Sequence, residues 1–506
     1  MRIVRNNTGS RNLREIRVLV RLAPETVNGD RVLELPTSAV ELRGALRAGD
    51  LTAREVTEHF LGRIASENPR IGAFVSVTAD SALAEADAAD LRTAATSADE
   101  RSELPPLHGM PIAHKDIVDV AGALTTHGSR ALPHRVADTD SPIAEQLRSS
   151  GAISLGKTQV PELGLSSYSE NDVAPPARNP LDPERTPGGS SGGAAAAVAA
   201  GMLPLSPGSD GGGSVRIPAL ACGLIGLKPG FGAVRADAVL GDTDPFGAPR
   251  LVTSGPLAHS AADAALLYDA MTRLSDATSE PALTAVARAE SLGPLRIGVS
   301  LRSPFESAMD ITLSLEALAA LDAGIAALTA AGHRVEDAEF SYDPRYTNAF
   351  TTVWTSALAL LEFEAEAEEL LGDLARSFRV RSIARDPGRI REAGAILQQF
   401  AVDVGTQWGK YDAVLTPGLA FLPPRVGANL ALTPDEDYRQ QCLFTPFTSM
   451  VNVSGLPAIA VPTINVPATN PQAVRPLSMG VQLIAPRGSE VRLLQLAAQM
   501  EAQRAG

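Results

Sequence analysis

Helix-like and strand-like segments alternate along most of this chain of 506 residues. Residues 35–66 have the apolar spacing of two helices, and 71–77 is typical of a strand. Further along, the order strand, helix, strand recurs at 111–120, 141–150 and 152–155. Alternation of this kind predicts an α/β fold in which helices sandwich a mostly parallel or mixed sheet.

One segment departs from this alternation. Residues from about 344 to 405 look helical throughout and carry no strand signal, so we interpret them as a helical insertion or cap over the sheet. Strand signals resume near 413–415 and 458–461. No internal repeat is visible, and residues 35–506 are predicted to form a single domain.

Residues 1–34 are predicted to be a poorly ordered N-terminal extension. The first 31 residues contain seven arginines, no acidic residue before Glu15, and no apolar core of signal-peptide length. An organellar targeting segment and a misplaced start codon are the alternatives.

Composition limits the partners and the compartment. The formal net charge is −14 with both signs mixed along the chain, so we expect no nucleic acid or membrane partner, because both require a basic face. Cys222 and Cys442 are the only cysteines, which excludes a disulfide framework and suits a reducing compartment. No run of about 18 strongly apolar residues predicts a spanning helix. We therefore expect a cytoplasmic protein.

Two tight glycine clusters lie within residues 186–229, and a helix-like run follows each cluster. A flexible Gly/Ser linker is one interpretation. Glycines just before a helix also place backbone N–H groups in a nest that binds an anion, either a bound phosphate or a transient oxyanion. Ser214 directly follows Gly211, Gly212 and Gly213. This order favours the oxyanion, because the Ser214 Oγ would lie beside those N–H groups.

A serine nucleophile needs a base, and none of the seven histidines is near Ser214 in the sequence. Lysine can act as a base when burial lowers its pKa, whereas arginine stays charged. Lysine is rare here, with four among 44 basic residues, and Lys115 lies in an apolar strand-like segment. Lys115 is therefore a candidate base. The alternative is a lysine at a strand end whose ammonium reaches water.

The sequence resembles the amidase signature family in four segments that keep the family's order and spacing: GMPIAHKD (109–116), TPGGSSGG (186–193), GSDGGGSVRIPA (208–219) and CGLIGLKP (222–229). The resemblance extends from about residue 35 to the C-terminus, with the core motifs at 104–232 and the weakest match at 274–405. It implies the amidase-signature fold, with a large, mixed, mostly parallel twisted sheet sandwiched by helices.

The resemblance implies a serine hydrolase with a Ser–cis-Ser–Lys triad. Ser214 would attack the carbonyl carbon, and Ser190 would relay its proton to a neutral Lys115. The peptide bond between Gly189 and Ser190 would be cis.

The resemblance also assigns the residues around the triad. Backbone N–H groups of four consecutive residues would form the oxyanion hole, namely Gly211, Gly212, Gly213 and Ser214. Supporting roles fall to Asp210, Arg216, Ser191 and Gly189. Gly211 departs from the family, where most members carry Thr, Ile or another side chain, and this departure predicts a more pliable loop and a wider pocket. No cofactor and no metal are implied, and the family includes homodimers, although the sequence shows no interface signature.

Three functions remain open. The leading one is a free-standing amidohydrolase that acts on small or aryl amides through an acyl-enzyme, with ester or carbamate (urethane) cleavage open to the same chemistry. The second is the glutaminase-type subunit of a tRNA-dependent amidotransferase. Such subunits usually carry Gln after the catalytic-loop Arg, whereas Ile217 follows Arg216 here, which favours the first function. The third is a non-catalytic binding protein on the same fold.

Other motifs compete with this interpretation. Residues 151–158 match the P-loop pattern GxxxxGKT, but a helix signal precedes them and Pro161 follows, which is the wrong context for nucleotide binding. His108, His114, His127 and His134 lack metal-ligand spacing, so we interpret them as loop residues.

Aromatic and apolar residues in the helical insertion have two interpretations. Phe350, Trp354 and Leu360 are candidates for lining an acyl pocket. Residues at such spacing more often belong to an ordinary core.

Overall fold

Thirteen strands, arranged in three sheets, lie in the part of the chain that this computed structural model describes, which is residues 35–239, 241–272, 280–467 and 470–505. The extension predicted at 1–34 lies outside the described residues. The strands are β1 Phe74–Val77, β2 Pro111–Lys115, β3 Leu124–Thr125, β4 Arg135–Val136, β5 Ile153–Thr158, β6 Leu205–Asp210, β7 Ile225–Lys228, β8 Thr253–Ala258, β9 Arg296–Val299, β10 Arg334–Asp337, β11 Ala413–Pro417, β12 Ala458–Val466 and β13 Leu477–Ile484.

Sixteen α-helices accompany these strands within the same described ranges. They are α1 Ala39–Ala48, α2 Ala53–Ile71, α3 Ala79–Ala95, α4 Pro142–Ser149, α5 Gly192–Ala199, α6 Arg216–Cys222, α7 Ala261–Thr272, α8 Ala282–Val286, α9 Leu315–Ala330, α10 Tyr346–Ser356, α11 Ala365–Glu368, α12 Asp373–Ala384, α13 Pro387–Trp408, α14 Pro434–Phe444, α15 Ser449–Ser454 and α16 Glu490–Ala505.

The α/β fold and the mixed sheet are confirmed, but the large sheet is not mostly parallel. Its strand order is β10-β9-β11-β13-β12-β7-β8-β6. Among these described strands, β9 pairs in parallel with β10 and β11, and the other five pairings are antiparallel. The connection from β12 to β13 is too short for a crossover helix, which forces an antiparallel pair. The α6 crossover joins β6 and β7, which run in the same direction, but β8 lies between them and pairs antiparallel with both.

A second sheet of three strands, ordered β1-β5-β2, carries Lys115 at the end of β2. Strands β2 and β5 are parallel, and α4 forms the crossover between them. Every residue of both strands is buried. The Ser206 hydroxyl of β6 donates to the Ala113 carbonyl of β2 over 3.1 Å. This bond joins the end of the large sheet to the strand that carries Lys115.

Local sequence signals explain where the elements begin and end. Helix α2 begins at a capping box, in which Thr52 and Glu55 satisfy each other's backbone N–H groups. It ends at Gly72, which adopts a left-handed conformation with φ 65°. The face formed by Val56, Phe60 and Ile64 is buried, as the spacing predicts.

The segment predicted as a helical insertion consists of helices α10 to α13 and contains no strand in the described residues 344–405. Its aromatic face forms a separate core with residues of α15 and with Val414, Ala458 and Ile484 from the central strands. The insertion therefore packs on the large sheet, as a cap would. None of the helices in the described ranges is both long and apolar enough to cross a lipid bilayer.

Candidate active site

Lys115 lies at the end of β2 and is buried. Its Nζ donates to the Ser190 Oγ over 2.7 Å and to the Ser209 Oγ over 2.9 Å. Within the described ranges, no carboxylate lies within ion-pair distance of this amine. Burial lowers the pKa of Lys115 to about 7, although the more distant charge of Asp210 opposes the shift. A substantial fraction of the Lys115 side chain is therefore neutral at physiological pH.

Ser190 lies in the loop that precedes α5, and the Gly189–Ser190 peptide bond is cis, as the resemblance implies. The backbone of Tyr168 presses on this loop, because a Cβ added at Gly189 would lie 2.6 Å from the Tyr168 nitrogen. The Ser169 hydroxyl donates to the Gly188 carbonyl and accepts from the backbone of α5, each over 3.1 Å. These contacts fix the position of the loop.

Ser191 and Ser209 connect the two glycine-rich loops, and the role of Ser209 was not foreseen from the sequence. The Ser191 Oγ donates to the Ser209 carbonyl and accepts from the Ser209 N–H, each over 3.2 Å. The Ser191 N–H donates to the Ser214 carbonyl over 3.2 Å. Ser191 thereby holds the loop of Ser190 against the loop of Ser214.

The loop between β6 and α6 turns around the carboxylate of Asp210. That carboxylate accepts from the Gly213 N–H over 2.7 Å and from the Val215 N–H over 3.1 Å. Gly213 has a φ of 129°, and a Cβ there would lie 2.6 Å from the Thr448 Oγ1, so only glycine fits. The loop conformation thus depends on one carboxylate and one obligatory glycine.

The four N–H groups predicted as oxyanion donors are not equivalent in the structure. The prediction is wrong for Gly213, because its N–H is already bonded to Asp210. The N–H groups of Gly211, Gly212 and Ser214 have no hydrogen-bond acceptor among the described residues. Three donors thus remain available at this loop.

Arg216 joins this loop to the rest of the fold. The guanidinium is fully buried and pairs with Asp210 over 2.9 Å. It also donates to the Thr448 carbonyl over 3.0 Å and to the Asn452 Oδ1 over 2.6 Å, and it contacts Gln482. Burial opposes ionisation of Asp210, but the charge of Arg216 outweighs it and holds the pKa of that carboxyl below its ordinary value. The pair braces the loop, as expected for Asp210 and Arg216.

Ser214 follows the loop and faces a cavity of about 50 Å³. Its Oγ makes no hydrogen bond to any described residue, and none joins it to the Ser190 Oγ. The structure therefore brings Lys115 and Ser190 into direct contact and places Ser214 beside them through the Ser191 bridge.

The walls of this cavity are largely apolar and aromatic. Phe350 and Trp354 line it, whereas Leu360 does not and is 49% exposed. The remaining lining residues include Leu165, Ser166, Ser167, Gly212, Ile217, Phe305, Tyr438, Gln441, Cys442, Thr445 and Ser449. Sequence spacing could not separate a pocket wall from a core, because both require the same residue types.

The structure also locates the P-loop-like segment and the histidines, which suggested other functions in the sequence. The P-loop-like lysine, Lys157, is on the buried strand β5, and its Nζ lies 3.4 Å from the Asp116 carboxylate. Burial lowers the pKa of His114 to about 3, and the nearby Lys157 charge adds to the shift. In the described part of the chain, no three His, Cys, Asp or Glu side chains cluster as metal ligands would.

Comparison with known proteins agrees with this architecture. A sequence model of the Amidase family matches residues 55–494. The chain is 35% identical over 462 residues to a Mycobacterium bovis protein named "Putative amidase AmiB2", with 91% of this chain and 94% of that protein covered. It is 33% identical to a glutamyl-tRNA(Gln) amidotransferase protein of Thioalkalivibrio sulfidiphilus, with 91% and 96% covered.

Solved structures give the same result. A structure of 6-aminohexanoate cyclic dimer hydrolase superposes with a TM-score of 0.77 at 28% identity, covering 93% of this chain and 98% of the other. The family match spans most of the chain, and relatives above 30% identity are covered almost completely. The chain therefore belongs to the Amidase (amidase signature) family, and it is a hydrolase that acts on amide C–N bonds.

Proposed function

We propose that this enzyme is a free-standing amidohydrolase with Ser214 as nucleophile, Ser190 as proton relay and Lys115 as base. The observation that carries the proposal is the 2.7 Å contact between Lys115 Nζ and Ser190 Oγ, made by a buried amine without a carboxylate partner in the described residues. A neutral lysine accepts a proton through the relay hydroxyl, which a structural ion pair could not do.

In the proposed reaction, the Ser214 Oγ attacks the amide carbonyl carbon while its proton passes to Ser190, and the Ser190 proton passes to Lys115. The N–H groups of Gly211, Gly212 and Ser214 stabilise the negative carbonyl oxygen. Ser190 then returns a proton to the leaving amine, and the C–N bond breaks to leave an ester on Ser214. Water attacks this ester along the same proton path and releases the acid.

In the proposed reaction, the contact between the Ser190 and Ser214 hydroxyls forms only when substrate is bound. The Ser190 and Ser214 hydroxyls are not hydrogen-bonded to each other in this structure. Catalytic hydrogen bonds are often long in a free enzyme and shorten in the reactive complex. The Ser214 Oγ breaks no hydrogen bond to a described residue when it turns toward Ser190 with a carbonyl in the adjacent site.

The surroundings of Ile217 favour free-standing amidase activity over the glutaminase-type function. Ile217 is 3% exposed, and its side chain lines the cavity beside Ser214. An apolar side chain at this position provides no hydrogen bond or charge for the α-ammonium and α-carboxylate groups of glutamine, which would be costly to bury unpaired there. The largely apolar cavity instead suits a short hydrocarbon group of a small amide, or of an aryl amide whose ring lies outside the cavity, and the same acyl-enzyme chemistry extends to esters and carbamates.

Two further features of the proposal concern cellular context. Both cysteines are free and buried, which agrees with a cytoplasmic enzyme. A small-molecule amide is the proposed partner, and no cofactor takes part in the reaction steps above. Homodimer formation is part of the proposal only by analogy with the family.

The first experiment tests Ser214→Ala against chromogenic anilides. We expect kcat to fall by at least about 10⁴-fold while the melting temperature is unchanged, because the nucleophile is lost without loss of packing. Ser81→Ala is the matched control, since the exposed Ser81 hydroxyl on α3 donates to the Thr78 carbonyl, far along the chain from the site. Wild-type turnover in Ser214→Ala would exclude this nucleophile.

A substrate panel that includes glutamine, with and without candidate partner proteins, separates the amidase from the glutaminase function.

A further inference from the structure

Gly211 and Gly213, in the loop before Ser214, differ in what a side chain would meet. Gly213 needs a positive φ, but Gly211 does not adopt one, so its backbone conformation is open to any residue. A Cβ added at Gly211 would instead lie 3.1 Å from Val252 Cγ2 and 3.4 Å from Trp354 Cζ3. The tight neighbour of this Cβ is Val252, and Trp354 lies at ordinary van der Waals distance, so a larger residue at 211 would press on Val252 first and lie directly against Trp354.

Trp354 covers the donor loop closely. The edge of its indole also lies 3.6 Å from a Cβ built at Gly212. The indole stacks on Phe350 with ring centroids 5.7 Å apart, and Phe350 meets Phe305 edge to face at 6.0 Å. All three rings line the cavity beside Ser214. Trp354 is half-buried, and the stack on Phe350 holds one face of its indole in this position.

The row of rings also limits the size of the cavity. Its volume of about 50 Å³ is well below the roughly 150 Å³ of an apolar cavity that holds one benzene molecule. The part of a substrate that lies inside the cavity beside the donor loop can therefore have only a few carbon atoms. Gly211 is not among the described residues that line the cavity, so its missing side chain does not widen the pocket as the sequence predicts.

The cavity lies on the acyl side of the scissile bond. In the proposed reaction Ser190 must reach the leaving nitrogen, so the amine part of the substrate faces Ser190. Among the described residues, the cavity lining includes Ser214 and Trp354 but not Ser190. The group bonded to the carbonyl carbon on the other side, the acyl group, is thus the one that meets Trp354.

We infer that Trp354, seated against Gly211, determines acyl specificity and restricts this enzyme to short acyl groups such as acetyl to butyryl. The inference rests on the proposed function, because it uses Ser190 as the relay to locate the leaving group. It names a substrate class that the family alone does not give, namely amides of short-chain acids whose amine part carries the larger substituent.

The test compares kcat/KM for the p-nitroanilides and p-nitrophenyl esters of acetic, butyric, hexanoic and octanoic acids. In the wild type, we expect kcat/KM to fall at least about tenfold from butyryl to octanoyl. Trp354→Ala should raise the octanoyl-to-acetyl ratio at least about tenfold. Trp408→Phe alters the chain's other tryptophan, which is in the same aromatic core but not at the cavity, and should leave the ratio unchanged.

A double-mutant cycle tests the pairing with Gly211. Gly211→Thr should lower kcat/KM for the acetyl substrate at least about tenfold, and adding Trp354→Ala should restore part of the loss, because the contact with Val252 remains. A wild-type kcat/KM that does not change with acyl chain length would overturn the inference. So would an octanoyl-to-acetyl ratio of kcat/KM in Trp354→Ala that equals the ratio in Trp408→Phe. So would strictly additive effects in the cycle. Ser214→Ala tests the proposed nucleophile separately, because the chain-length profile reports on Trp354 whichever group attacks.

Discussion

Lys115 and Lys157 lie on neighbouring strands of the three-stranded sheet, in register positions one residue apart, yet their amines have different partners. Lys115 donates to two serine hydroxyls. Lys157 also donates to a hydroxyl, that of Thr125 over 2.9 Å, but its amine lies 3.4 Å from the buried carboxylate of Asp116 as well. Burial lowers the pKa of each lysine, but next to Lys157 the charge of Asp116 opposes the shift.

The comparison shows that burial alone does not make a base. The Asp116 carboxylate favours the charged form of Lys157, whereas Lys115 has no carboxylate at this distance in the described residues and its amine contacts the proposed relay hydroxyl of Ser190. Lys228 supports this distinction, because burial lowers its pKa to about 7 as well, yet its amine donates to the Pro229 carbonyl rather than to a hydroxyl. A low pKa becomes useful only where a hydroxyl connects the amine to a reacting group.

The largest expected effect comes from Lys115→Arg. Arginine keeps the charge but cannot lose its proton, so kcat/KM for an anilide should fall by at least about 10⁴-fold. Lys410→Arg is the matched control, because Lys410 is exposed just after the end of α13 and should retain full activity. Substantial turnover by Lys115→Arg would mean that the two buried lysines do not differ in the way proposed.

The second prediction concerns stability. Asp116→Asn leaves Lys157 buried without its anionic partner, which should lower the free energy of unfolding by about 3–5 kcal/mol. Lys115→Met removes a buried amine that has no carboxylate partner in the described residues, so it should abolish activity without a comparable loss of stability. Urea unfolding of both variants checks this contrast. Equal destabilisation by the two changes would contradict the assignment of a structural and a chemical lysine.

The sequence predicted which residues meet around Lys115 better than it predicted the pairing of the large sheet. Three spaced motifs located Lys115, Ser190 and Ser214, and the cis bond before Ser190 followed from the resemblance. The excess of antiparallel pairing was missed, because a helix between two strands says nothing about whether a third strand pairs between them. The bond from Gly213 to Asp210 was also missed, since the direction of a single N–H depends on the turn of the loop.

Long-range partners were equally invisible in the sequence. Asn452 and Gln482 contact Arg216 from more than 200 positions away along the chain. Trp354 looked like either core or pocket, because its helical spacing with Phe350 suits both. Only the folded chain shows which polar and aromatic side chains are in contact across such distances along the sequence. Those contacts brace the loops of the site and shape its cavity.

The third prediction uses pH. Lys115 must be neutral to accept a proton, and its pKa is lowered to about 7 by burial. The neutral fraction increases with pH, so log kcat/KM should rise with a slope of about one per pH unit below pH 7 and become flat above it. Rates on an anilide whose own groups do not titrate between about pH 5 and 9 provide the measurement. A rate that is constant across this range, or that falls above pH 7, would remove Lys115 from the base role.

The smallest expected effect is that of Ser209→Ala, which removes one hydroxyl from the surroundings of Lys115 and leaves those of Lys157 unchanged. The Ser209 Oγ is the second acceptor for the Lys115 Nζ, over 2.9 Å. Its loss should lower kcat/KM about two- to tenfold, the range of one hydrogen bond, because the amine is less firmly directed at Ser190. Loss of this acceptor destabilises the ammonium form of Lys115 more than the neutral form, which lowers the pKa of the amine. The midpoint of the pH profile should therefore move to lower pH. Ser209→Thr keeps a hydroxyl and should restore both values. A reduced rate with an unmoved midpoint would make Ser209 a packing residue and leave Ser190 as the only hydroxyl that tunes the base.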